Sequence, residues 1–97
     1  MTSKFFVGQC TFDLHVANSQ SLKEKRRVIK SIKEKLKNRF NVAVCEFGDL
    51  SLWQRSQLSI VTCSNDRTVV DSTIKTVVNF IEGIHSVSLL SIKQSII

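Results

Sequence analysis

Apolar residues recur at two different periods along this chain, and each change of period marks a new element. From residue 5 to 16 the period is two. Phe6, Gly8, Cys10, Phe12, Leu14 and Val16 share one parity, while Phe5, Val7, Gln9, Thr11, Asp13 and His15 share the other and turn polar toward the end. That alternation predicts a strand with one buried face and one partly wet face. Residues 17–20 form a polar connection. From Ser21 the period becomes helical: Leu22, Val28, Ile29, Ile32, Leu36 and Phe40 fall on one arc at about 100° per residue. Ser21 and Glu24 stand at capping-box spacing, which predicts the helix start.

Residues 41–47 are short and β-rich, and Gly48 and Asp49 open a loop. Residues 58–63 read as the next strand. Asn65 and Asp66 are suitable N-caps for a second helix, whose stripe is Val70, Ile74, Val77, Ile81 and Ile84 with Val78 beside it. Gly83 is its candidate C-cap. Residues 86–97 alternate weakly and predict a last strand. The order β-α-β-β-α-β, with one apolar stripe per helix, predicts an α+β ferredoxin-like sandwich. Right-handed crossovers give an antiparallel four-stranded sheet of order 4-1-3-2 with both helices on one face. The other face must be solvated, bind a ligand or pair with a second copy.

Composition keeps this picture simple. The 97 residues include no proline and three glycines, with no repeat, linker or low-complexity tract, so residues 1–97 are expected to be a single domain. No apolar run approaches the roughly 20 residues that span a bilayer. No secretion signal is visible at the start, and a cytoplasmic location with no membrane partner is expected. Cys10, Cys45 and Cys63 are isolated, which predicts reduced, buried thiols and no metal cluster.

Charge changes the picture. Nine of the fourteen lysines and arginines lie between Lys23 and Arg39, beside only Glu24 and Glu34. This segment carries +7 in a chain of net charge +6, so the remainder sums to −1. Lys23, Arg26, Arg27, Lys30, Lys33 and Lys37 occupy an arc of about 120°, separate from the apolar one. The arc runs for about four turns, roughly 20 Å at 1.5 Å per residue. Lys23, Arg26 and Arg27 sit in or near the first turn, where the helix dipole disfavours cations. An anionic partner explains that placement, and nucleic acid is the usual one. The competing reading is a solvated helix face with pairs such as Lys30 with Glu34. Lys25 falls on the apolar arc, where a lysine snorkelling from the core edge is expected. Arg39, in the last turn, suits the dipole.

Residues 47–56 carry the only tryptophan, Trp53, with Arg55 two residues on. An indole stacks on unpaired bases and a guanidinium holds phosphate. Two other readings compete. Leu52 and Trp53 could fold back to cap the core, and Gln54 and Arg55 could begin the third strand.

Catalytic signatures are lacking. An acylphosphatase needs a glycine-rich loop after the first strand, and residues 17–20 contain no glycine. His15 and His85 are far apart, and there is no G-x-S-x-G elbow. Asp13 and His15 share a strand face and could form a surface pair. The third strand has no aromatic residue, so the base-stacking sheet of an RNA-recognition motif is not expected. No catalytic residue, metal or cofactor is assigned.

Four blocks carry a resemblance: S-L-K-E-K-R-R-V-I-K at 21–30, R-F-N-V at 39–42, L-W-Q-R at 52–55 and S-N-D-R at 64–67. In that order, over nearly the full chain, they resemble the YlxP family of small bacterial proteins. The resemblance implies a ferredoxin-like fold. It also implies a genomic setting among translation and transcription genes, including those for initiation factor two, NusA and a ribosome-binding factor. The family often has a histidine and an acidic residue shortly before L-W-Q-R; here Asp49 and Ser51 stand in those places. The resulting expectation is an accessory factor for RNA or the ribosome. Its binding set is Lys23, Arg26, Arg27, Lys30, Lys33 and Lys37, with Trp53 and Arg55. The alternative is a homo-oligomeric interaction or regulatory module, a homodimer through Phe5, Val7 and the open sheet face.

Overall fold

The computed structural model describes residues 3–97. Its elements are β1 (Phe6–Val16), α1 (Leu22–Arg39), β2 (Ala43–Phe47), β3 (Arg55–Ser64), α2 (Arg67–Glu82) and β4 (Val87–Ile96). The sheet order is β2-β3-β1-β4, the expected 4-1-3-2 order read from the other edge. All three pairings are antiparallel. The fold is the ferredoxin-like α+β sandwich. β3 starts at Arg55, three residues before the alternation makes it visible, because residues 55–57 pair with residues 13–15 of β1.

Register follows from parity. Cys10, Phe12, Leu14 and Val16 of β1 are fully buried, as are Leu58 and Ile60 of β3. They meet Ile29, Ile32 and Leu36 of α1 and Val70, Ile74, Val77 and Ile81 of α2. Gly8 continues the buried row of β1. A Cβ there would strike Val70 Cγ1 and lie 2.8 Å from Ile74 Cδ1, so glycine lets α2 approach the sheet. Between Asp13 and Leu14 the β1–β4 register slips, which leaves Leu90 as the extra residue of β4.

The caps are side-chain made. Ser21 Oγ accepts the Glu24 N–H at 3.1 Å, and Glu24 Oε2 accepts the Gln20 N–H at 2.7 Å. The return bond thus lands one residue before the cap. Asp66 caps α2, accepting the Thr68 N–H at 2.9 Å. Gly83 is the C-cap, but at φ −83°, a right-handed value that does not demand glycine. The far end of α1 is tied to α2 by aromatics. Phe40 meets Phe80 edge-on at 5.9 Å, and the Arg39 guanidinium lies 4.9 Å over the Phe80 ring.

The cysteine expectation needs correcting. Only Cys10 is buried; Cys45 and Cys63 are exposed on the outer face of the sheet. Both fall at positions whose parity points away from the helices.

Candidate nucleic-acid interface

α1 presents its cations to solvent because its apolar arc is consumed by the core. Lys23, Arg26, Arg27, Lys30 and Lys37 are exposed, and Lys33 is half-buried at the border of the two arcs. Among the described residues the ion pairs are Lys25 with Glu46 and Arg55 with Asp13. None of the six arc cations is in either. Glu34 forms no pair with Lys30, and Glu24 is spent on the cap. The rod of positive charge is therefore uncompensated from within the described residues.

Lys25 departs from expectation. It does not snorkel; its side chain is 1% exposed, and Nζ lies 3.2 Å from Glu46 Oε2. It also donates to the Leu50 carbonyl at 3.0 Å. Glu46 lies on the helix-facing side of β2, two residues beyond Val44, and accepts a further bond from Ser56 Oγ at 2.7 Å. A buried ammonium is tolerable only with such partners. Sequence alone does not single out Glu46, Ser56 or Leu50. A signal exists, since Lys25 and Glu46 are lone opposite charges, each on the inward side of its own element.

The 48–54 loop is held at several points. Gly48 turns the chain at φ +80°, a left-handed value that favours glycine. Ser51 donates to Asp49 Oδ1 through both its N–H, at 3.0 Å, and its hydroxyl. These bonds hold the Asp49 carboxyl below its ordinary pKa, the Ser51 hydroxyl contributing most. The two residues standing where the family often has histidine and acid thus make a turn with each other. Leu50 is anchored by Lys25. Gln54 donates through Nε2 to the Ser19 carbonyl at 3.1 Å, and its own carbonyl accepts the Val16 N–H at 2.9 Å.

Between these anchors Trp53 is 56% exposed, with Leu50 and Leu52 also open to solvent. The core-capping reading of Leu52 and Trp53 does not hold, because the anchoring bonds carry residues 50–53 outward. Ser19 and Lys25 flank the start of α1, so the loop is seated at the N-terminal end of the basic rod. Arg55 lies elsewhere in the electrostatics: its guanidinium donates to Asp13 Oδ2 at 2.7 Å. Asp13 pairs with Arg55, not with His15. The structure seats the Trp53 loop at the N-terminal end of α1, where the row of six cations begins, but leaves Arg55 paired on the outer face.

That outer face is polar across Gln9, Thr11, Gln57, Ser59, Ser91 and Lys93 and apolar on its β2 side, where Ala43, Cys45, Phe47, Val61 and Cys63 are exposed. Phe5 is exposed near one end, and Val7 is half-buried. A shallow cavity of about 240 Å³ lies where this face meets the loop, lined by Asp13, Phe47, Asp49, Leu52 and Arg55 among others. Asp13 Oδ1 is buried beside it without a partner. Among the described residues, no three His, Cys, Asp or Glu side chains cluster to hold a metal, and no helix is long and apolar enough to cross a membrane.

Known proteins share parts of this sequence and this architecture. Residues 7–94 match the family model described as "Protein of unknown function (DUF503)". The chain is 32% identical over 77 residues to "Uncharacterized protein YlxP" of Bacillus subtilis (strain 168), covering 79% of this chain and 84% of that protein. Among solved structures it is similar to the de novo designed protein Foldit4, with TM-score 0.53 and 14% identity over 95% of this chain and 97% of the other. That likeness concerns the fold alone. A putative antibiotic biosynthesis monooxygenase from Bacillus cereus aligns at TM-score 0.45 and 10% identity, covering 96% and 90% of the two chains.

Proposed function

The chain belongs to the DUF503 family, and we propose that it is a cytoplasmic accessory factor that binds RNA or the ribosome by laying α1 along phosphates. The observation that carries this reading is the set of six α1 cations, of which five are exposed and none is paired with a carboxylate among the described residues. Their mutual repulsion opposes folding slightly, and three of them oppose the helix dipole. Phosphate oxygens would relieve both. No chemistry on the bound RNA is proposed. The homo-oligomeric alternative has less support, since the exposed apolar residues of the open sheet face are confined to its β2 side and the centre of the face is polar.

Binding through phosphates releases counterions, so affinity must fall steeply with salt. Filter binding to structured RNA and co-sedimentation with ribosomes across a salt series test this. Substituting Arg26→Glu, Arg27→Glu and Lys30→Glu is expected to abolish binding with the circular dichroism unchanged. Binding that survives the triple substitution at moderate salt would sink the reading.

A further inference from the structure

We infer that the RNA recognised is a base-paired stem carrying an unpaired nucleotide at its end or side, with Trp53 stacking on that nucleotide; this rests on the phosphate-binding reading of α1. Two structural facts combine here. The first is rigidity. α1 is a rod of 18 residues whose inward face is locked into the core, so the backbone positions that carry its cations keep fixed spacing. A fixed row of charges is best matched by a fixed row of phosphates, as in a helical stem, because a flexible single strand must lose entropy to fit it. The deep, narrow major groove of A-form RNA keeps such a rod on the backbone, without access to base edges.

The second fact is the seating of the loop. Trp53 lies between Leu50, held by buried Lys25, and Gln54, held by Ser19. Both anchor partners belong to the start of α1 or the connection just before it. The indole is therefore presented at one end of the charged rod, 56% exposed, on a loop pinned on both sides of it. A ring so placed cannot stack on a base already sandwiched inside a duplex. It can stack on one that is unpaired, and stacking needs no particular base identity. Arg55, the other candidate near this loop, is occupied by Asp13 and takes no part.

The test compares three RNAs with one stem sequence: a blunt duplex, a hairpin with an unpaired purine loop, and the single strand. Binding is read by filter retention and by Trp53 fluorescence, which reports only this residue because it is the sole tryptophan. The hairpin is expected to bind about tenfold tighter than the duplex and to quench the indole, as one stacked base would supply. Trp53→Ala should bring hairpin affinity down to the duplex level, and Trp53→Phe should restore most of the difference. Equal, salt-sensitive binding of hairpin and duplex, with no quenching, overturns the inference and leaves the α1 reading standing. If no RNA binds at low salt, both fall. Preference for the single strand over both stems also overturns it.

Discussion

Lys25 concentrates more consequence than any other single side chain. Its ammonium joins α1, β2 and the 48–54 loop through Glu46 and the Leu50 carbonyl. Removing one member of a buried pair leaves the other charge stranded, at about 3–5 kcal/mol, whereas replacing both charges by uncharged chains of similar shape costs much less. Lys25→Ala is therefore expected to destabilise the fold by about 3 kcal/mol or more in urea denaturation. Lys25→Met combined with Glu46→Gln, which removes both charges, should retain most stability yet release Leu50, so that Trp53 fluorescence anisotropy drops. Unchanged anisotropy would mean that the loop stands without its anchor. The thiols offer a second residue-scale prediction. Burial pushes the Cys10 thiol up from 9.0 to about 11, while Cys45 and Cys63 are exposed. The unfolded chain ionises Cys10 first as pH rises, so its contribution to stability is complete below pH 9 and is lost toward pH 11. A thiol-reactive dye on the native protein should label two cysteines promptly, and the third only on unfolding.

At the scale of elements, the helix starts are the most testable features. Thr68 donates its hydroxyl and its N–H to Asp66, which hold that carboxyl below its ordinary 3.8. A depressed folded pKa means the contribution is present above the unfolded value and lost as pH falls through the folded one. Asp66→Asn should therefore flatten the acid limb of the stability profile, measured by urea midpoints across the carboxylate range. Ser21→Ala should weaken the start of α1 by about 1 kcal/mol. Both caps are legible in the sequence because capping chemistry is local, spanning two or three residues. The strand order is legible because one stripe per helix and short connections leave few topologies. The loop is not. Lys25 finds Glu46 across 21 residues and Leu50 across 25, separations at which periodicity carries no information. Arg55 can be paired with Asp13 only once the β1–β3 register is fixed, and the exposure of Trp53 is hidden because a lone indole is more often a core filler. The six α1 cations are legible as an arc, but their lack of partners becomes visible only when the carboxylates have positions.

For the whole molecule, the decisive quantity is how charge is distributed over a body of 56 × 23 × 21 Å. The segment around α1 carries +7 and the remainder −1, so one flank of the sandwich holds nearly the entire field. Such a field speeds encounter with any polyanion and sets the salt dependence of the complex. Each phosphate that the protein neutralises adds about 0.7–0.9 to the slope of log affinity against log salt. Taking three cations away from the phosphates should therefore flatten that slope by about 2–3. Reversing Arg26, Arg27 and Lys30 to glutamate also takes the net charge from +6 to zero, a value that promotes association of the protein with itself. A loss of binding in that variant would then mix two causes. Neutralisation separates them: Arg26→Gln, Arg27→Gln and Lys30→Gln leave the chain at +3. The same change to glutamine at Lys4, Lys75 and Lys93, which lie outside α1, also leaves +3. If position governs binding, the α1 variant loses affinity and slope while the scattered variant keeps most of both. Equal losses from the two would show that net charge alone attracts the RNA, and the rod of α1 would have no special role.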